Sequence, residues 1–235
     1  VVDDKRPSVV VGVPVLRQSA AGRKHGLSMD GRLVEMCAKN KDEAECKAPM
    51  GTYISFDTPY VEYGDGFACG KAFDDRVGCL SLLRLLQEEL PVDLVACFVS
   101  EEEVGCRGAK VASFAKAPDK GIAIDVTAWG DTPGTKQPDI KLGEGIAVKV
   151  MDHGSISNPD LREALLAAGA QAGVKTQREV LPFGGTDASA MQTSRGGIPV
   201  CTLSIPCRYV HSACEVVDLR DVEGGVALLK KYFEA

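Results

Sequence analysis

Acidic residues gather where apolar runs end. Leu94-Val95-Ala96-Cys97-Phe98-Val99 leads through Ser100 into Glu101, Glu102 and Glu103, Gly121-Ile122-Ala123-Ile124 leads into Asp125, and Asp74 and Asp75 precede a helical run. The last apolar run, Thr202 to Pro206, is followed within five residues by His211. Carboxylates brought to one end of a sheet repel each other unless something positive joins them. A pair of divalent metals is the simplest joiner, and activation of a water is the chemistry it would perform. Each group also has a plainer reading. Glu101 to Glu103 could be the solvated start of a loop. Asp74 and Asp75 could cap the helix that begins at Arg76, although a cap needs only one of them. An unpaired carboxylate at Asp125, directly after apolar strand residues, would be costly. His211 is ambiguous alone, whereas His25 and His153 lie in polar loops and read as surface residues.

The elements that must position these groups are legible from periodicity. Val9 to Arg17 is β-branched and apolar, and the polar stretch after it, 18–31, reads as an exposed loop. A short helix fits within Arg32 to Glu45, and Thr52 to Asp57 alternates like a strand. From Gly70 the rhythm changes. Val77, Leu80, Leu83, Leu86 and Leu90 fall at helical spacing over Arg76 to Leu90, with Pro91 as the stop. Asp93 to Ser100 then reads as a buried strand. Helix (108–117), strand (121–127), strand (145–151), helix (158–172) and strand (177–181) follow, then a further helix, a strand and a last helix capped by Asp218. Near-continuous apolar strands alternating with amphipathic helices imply an α/β fold whose mixed, mostly parallel sheet carries helices on both faces. In such a fold ligands bind at the carboxyl ends of the strands, where the acids are. We expect residues 1–68 to belong to a small β-rich domain and 69–235 to form the α/β domain.

Composition excludes several classes. The chain has 235 residues with 45% hydrophobic and 26% charged, so it is long enough to bury a core and is neither disordered nor low in complexity. Lys and Arg total 27 against 33 Asp and Glu, a net charge of −6 with no basic stripe, which argues against nucleic acid as a partner. No apolar stretch approaches the roughly 20 residues a spanning helix needs. Nine cysteines, none in a C-x-x-C pair, suggest reduced and mostly buried thiols in a cytoplasm. The first residue is Val1 and no signal-peptide layout follows it, so the chain is expected to start inside a longer protein.

Five segments taken in order carry a resemblance: GKAFDDRVGC (70–79), SEEEVGCRGA (100–109), IAIDVTAWGDTPG (122–134), LPFGGTDASAMQ (181–192) and IPCRYVHSACEVVDLRDVEG (205–224). Together they resemble the tetrahedral, glutamyl-aminopeptidase-like family of dinuclear metallo-aminopeptidases, members of which have been labelled cellulase M or endoglucanase M. The resemblance implies a zinc-exopeptidase-like fold and a roster of ligands. Asp74 would bridge two metals, Glu103 and His211 would complete one of them, Asp125 would bind the other, and Glu102 would be the general base. Side chains of Glu102 and Glu103, adjacent in extended chain, would diverge to serve both roles. Asp75 would cap or orient neighbours, and the loop of Gly184 to Asp187 would support the site. Zn or Co would suit these ligands, the substrates would be short peptides, and the family's assembly is a homo-oligomer of twelve subunits. One departure stands out: the family draws a further His from an N-terminal H-x-D motif, and no H-x-D occurs here. The metal held by Asp74, Glu103 and His211 keeps its ligands while that of Asp125 loses its imidazole, so this chain is expected to hold one ion and to be weakly active or inactive alone. A glycoside hydrolase using two of the acids and a catalytically inactive assembly subunit are the alternative readings.

Overall fold

A computed structural model of the chain describes residues 10–12, 33–135 and 139–235. The chain divides into two compact units, Val1–Ser55 and Phe56–Ala235. In the first, β1 (Val10–Gly12) pairs antiparallel with β2 (Leu33–Glu35), Val11 facing Val34. Helix α1 (Lys41–Lys47) starts later than the sequence suggests because Asn40 caps it, its side chain accepting from the Glu43 N–H at 2.9 Å. The expected strand over Thr52 to Asp57 does not form, and Thr52 to Phe56 are exposed. The loop 18–31, His25 included, lies outside the described residues.

The second unit is built on a seven-stranded sheet. Its strands are β3 (Val61–Tyr63), β4 (Phe67–Gly70), β5 (Gly121–Thr127), β6 (Ile146–Met151), β7 (Thr176–Val180), β8 (Val200–Arg208) and β9 (Glu215–Asp218). The order is β3-β4-β9-β8-β6-β7, with β5 also paired to β8. The two longest ladders, β5 with β8 and β6 with β7, are parallel, and the others are antiparallel. The helices are α2 (Phe73–Leu85), α3 (Arg107–Lys116), α4 (Pro159–Gln171), α5 (Ala188–Met191) and α6 (Leu219–Phe233). The starts of α4 and α6 follow caps visible in sequence. Asn158 accepts from the Leu161 N–H with Pro159 in the first turn, and Asp218 accepts from the Arg220 N–H. Helix α2 stops at Leu85, short of Leu90.

Alternation along the strands sorts residues onto two faces. Ile122, Ile124 and Val126 of β5, with Cys201, Leu203, Ile205 and Cys207 of β8, join the main core beneath α2, α4 and α6, which contributes Val77, Leu85, Leu165 and Leu228. Ala123 and Val200 turn the other way, into a smaller cluster with Ala188, Ile198 and Met191 near α5. Asp125 and Thr127 share that second face by register. There the strands carry a buried polar layer of Thr127, Lys149, Glu179, Thr202 and Ser204. Lys149 Nζ and Glu179 Oε2 lie 3.2 Å apart with side chains 1% and 0% exposed, in charge contact though poorly aligned for a hydrogen bond, and the Thr127 hydroxyl donates to Glu179 Oε1.

Two expectations are corrected. Asp93 to Ser100 is not a ladder strand, and Val95 and Phe98 remain 55% and 49% exposed. An apolar run becomes a strand only when a neighbouring strand takes its backbone groups; among the described residues the one such bond given for this run is from the Gly108 N–H to the Ser100 carbonyl at 3.0 Å, at its end. The cysteines are not mostly buried either: Cys201 and Cys207 are, while Cys37, Cys46, Cys97 and Cys214 are exposed. Cys97 is exposed because its run lies outside the sheet.

Breaking the buried Lys149–Glu179 pair leaves a charge without its counterion. Lys149→Met should therefore cost about 3–5 kcal/mol, read as a lower urea midpoint, and adding Glu179→Gln, which still accepts from Thr127, should restore most of it. Equal stability of the single and double variants would show that the pair is not coupled.

Candidate metal centre

Strand β4 ends at Gly70, and the chain turns through Ala72, whose φ is +57°, before the regular part of α2. Asp74 and Asp75 have non-helical backbone angles, so the helix proper begins at Arg76. Asp75 does cap it: Oδ1 accepts from the Gly78 N–H at 3.1 Å. A Cβ at position 78 would stand 2.2 Å from Asp75 Oδ2, so only glycine fits beneath the cap. Asp74 is held differently, its N–H donating to Glu215 Oε2 at 3.0 Å.

Glu215, 2% exposed on β9, also accepts from the His211 N–H through Oε1 at 3.0 Å. One buried carboxylate thus fixes the backbones of both residues. Their side chains meet as a result, with His211 Nε2 lying 3.1 Å from Asp74 Oδ2 and 3.2 Å from Glu103 Oε2. One atom from each of Asp74, Glu103 and His211 lies within 4.8 Å of the others.

Glu102 and Glu103 diverge as expected, but from a turn and not from extended chain. Glu101 has φ +63°, and the Glu102 carbonyl accepts from the N–H groups of Gly105 and Cys106, both at 2.9 Å. While Glu103 reaches His211, Glu102 points to a second group in which its carboxylate converges with Cys106 and Asp187. The Cys106 thiol lies 3.5 Å from Glu102 Oε1, 3.5 Å from the Thr186 carbonyl and 3.6 Å from Ser189 Oγ.

Asp125, opposite Ser204 in the β5–β8 register, completes the acidic field. Burial pushes its carboxyl well above the ordinary range, and the charges of Asp74 and Glu102 add to the rise while Lys149 opposes it. Asp74 is pushed up to about 7 by burial and then by Glu103, and Asp75 up to about 9 by burial and then by Asp125. Glu102 and Asp187 are raised as well, chiefly by burial. Oxygen ligands crowded this closely, with an imidazole among them, fit a divalent cation. His153 is exposed, as expected of a surface residue. Glu215 and Cys106 were not singled out from sequence, where only the Glu four residues beyond His211 and the Cys four beyond Glu102 could have marked them.

Fold and site together define an α/β protein with a cluster of carboxylates and an imidazole that could hold a metal ion. The profile of the M42 glutamyl aminopeptidase family matches residues 2–228, and the chain belongs to that family. It is 35% identical over 222 residues to a putative aminopeptidase of Acetivibrio thermocellus, covering 94% of this chain and 67% of the relative. An aminopeptidase structure from the archaeon Desulfurococcus kamchatkensis superposes with a TM-score of 0.85 at 34% identity, over 96% of this chain and 64% of the other. A Pyrococcus horikoshii peptidase, described as assembling into a tetrahedron or a large octahedral shell, gives 0.74 at 28% identity, over 86% and 60%. The chain therefore spans about two thirds of the length of these relatives.

The raised acids set a pH dependence. In the metal-free protein Asp75 keeps its proton to about 9, whereas the unfolded chain releases it near the ordinary value of about 4. Between these values the folded state binds more protons, so this contribution is present at the acidic end and is lost as pH rises. Melting temperature after chelation should fall from about pH 6 to about pH 9, and Asp75→Asn, which can still cap Gly78, should flatten that fall. An unchanged slope would show that Asp75 ionises normally.

Proposed function

We propose that this chain carries the catalytic centre of a metal-dependent aminopeptidase that hydrolyses the first bond of short peptides. The observation that carries the reading is the meeting of Asp74, Glu103 and His211 within 4.8 Å, with the raised carboxyl of Glu102 beside them. The family match and the aminopeptidase relatives support it.

Asp74 and Glu103 would supply carboxylate oxygens and His211 its Nε2 to one ion, Asp74 also reaching a second held by Asp125. Bound divalent ions polarise the scissile carbonyl and acidify a water. Glu102 takes a proton from that water on its carboxylate and returns it to the departing amine nitrogen. Its affinity for the proton, raised mainly by burial, suits a group that must hold a proton and then release it. Asp75 holds the turn that aims Asp74, and Glu215 holds both Asp74 and His211. Among the described residues Asp125 belongs to no converging group of three ligands, which supports one tight ion in this chain. Zn and Co both suit mixed oxygen and imidazole donors. A closed homo-oligomer of twelve subunits fits the tetrahedral assembly described for the Pyrococcus relative. Nine free cysteines suit a reducing, cytoplasmic setting.

Elemental analysis of the desalted chain tests the centre. About one transition-metal ion per chain is expected, lost in Asp74→Ala. In the full-length, assembled protein Glu102→Gln should keep the ion and lower peptide hydrolysis by about 10²–10⁴-fold. Chelator-resistant cleavage of β-glucan would instead establish the glycoside hydrolase reading, and oligomers free of metal and activity would establish an assembly subunit.

A further inference from the structure

The chain segments that leave β5 and β8 stay together beyond the ladder. Within it, Asp125 and Thr127 of β5 stand opposite Ser204 and Pro206 of β8. Cys201, Leu203, Ile205 and Cys207 enter the main core, so the alternate residues of β8, down to its last residue Arg208, face the other side, that of Asp125. The loop after β5 is drawn onto that side by its own carboxylate. Asp131 accepts from Arg208 Nε at 2.9 Å and from Nη2 at 2.7 Å, and also from the Leu142 N–H at 3.1 Å. This clamp brings two aromatic rings together: Trp129 packs edge-on against Tyr209, with ring centroids 5.2 Å apart and planes at 64°. The indole N–H of Trp129 donates to the Thr132 hydroxyl, which fixes the ring within its loop.

We propose that Trp129 and Tyr209 determine the specificity of this centre: they form the wall against which the side chain of a peptide's first residue packs, and the residue they accept is apolar or aromatic. The inference rests on the aminopeptidase reading and names the substrate class within it. Tyr209 precedes His211 by two residues, about 7 Å of chain at most, and His211 Nε2 lies 3.1 Å from Asp74 Oδ2. The ring pair therefore joins the chain just past β5, which carries Asp125, to the turn that leads into His211. Tyr209 is 46% exposed and Trp129 half-buried, so ring surface stays open to a ligand. Rings already held by each other and by the Asp131–Arg208 clamp lose little freedom when something packs on them.

Charge decides the class. The charged side chains of residues 128–135 and 205–213 are Asp131, Arg208 and His211. Asp131 and Arg208 neutralise each other through two hydrogen bonds, and His211 faces Asp74 and Glu103. An acidic or basic first residue would bring its charge onto the rings without a counterion from either segment, and desolvating that charge would be costly. An apolar side chain instead gains by leaving water against both rings, and an aromatic one adds an edge-to-face contact.

Trp129 is the single tryptophan of the chain, so tryptophan fluorescence reports on the wall itself. The zinc-loaded chain would be titrated with L-leucinamide, L-phenylalaninamide, L-lysinamide and the α-amide of L-glutamate, each followed by tryptophan emission and by calorimetry. The leucine and phenylalanine amides should shift the emission and bind at least about tenfold more tightly than the two charged amides. Tyr209→Ala should weaken leucinamide at least about tenfold with zinc content unchanged, and Tyr209→Phe, which keeps the ring, should restore it. Tightest binding of either charged amide, or calorimetric binding that leaves Trp129 emission unchanged, would overturn the proposal. Zinc held by a chain that binds none of the amides would overturn the wall and leave the metal centre standing. Leucinamide that shifts Trp129 equally with and without zinc would support the wall and count against the metal reading, so the two fail separately.

Discussion

Repulsion among buried carboxylates is the constraint around which this unit is arranged. Asp74, Asp75 and Asp125 are each pushed up by burial first and by neighbouring acids second. Ionising all of them without a cation would destabilise the fold, because each further charge is added in low dielectric beside another. The protein relieves little of this itself. Lys149 opposes the rise at Asp125, yet it is committed to Glu179 at 3.2 Å. A divalent ion reverses the sign of the local field, making carboxylates that repel each other into ligands that cooperate. Proton release and metal uptake are therefore linked at these acids.

That linkage requires the acids to stay put while they are uncompensated. Glu215 supplies the restraint through two hydrogen bonds of 3.0 Å, one to the backbone ahead of α2 and one to the backbone of the last loop. Its own place is set by the β4–β9 ladder, where it faces Gly70. The register of one antiparallel pair thus fixes the distance between Asp74 and His211, although the two are far apart in sequence. Slipping that ladder by one residue would turn Glu215 to the other face and release both backbones.

Most of the candidate cluster was legible because each member sits in a local pattern: two acids before a helix, acids after apolar runs, a histidine after the last long strand. Asp74, Glu103 and His211 come together in the structure, while Asp125 lies within β5 and joins no converging group of three among the described residues. Other features depend on partners distant in sequence. The Asp93–Ser100 run reads as a buried strand by composition, but strand formation is decided by a neighbour's backbone, which composition does not contain. Lys149 and Glu179 interrupt apolar segments without betraying that they meet. Cys106 and Asp187 are 81 positions apart, and only the packing of α3 and α5 brings them to Glu102.

The two adjacent glutamates show how a turn divides labour that sequence alone leaves undivided. An extended chain would send their side chains apart by alternation. Here the separation comes from the turn after Glu101, in which the Glu102 carbonyl closes two hydrogen bonds and Glu103 is carried toward His211. Glu102 is left facing Cys106, whose thiol is pushed up to about 11, mainly by burial. A thiol held there remains an S–H donor near neutral pH. It can hydrogen-bond the Glu102 carboxylate without competing for metal as a thiolate, and Asp187 adds a negative charge that favours the protonated form of Glu102. Burial raises the proton affinity of Glu102, the Cys106 hydrogen bond opposes that rise, and the same contact turns Glu102 away from the Asp74–Glu103–His211 cluster. A proton carrier is served by both conditions, an affinity raised above that of an ordinary carboxylate and freedom from direct metal coordination.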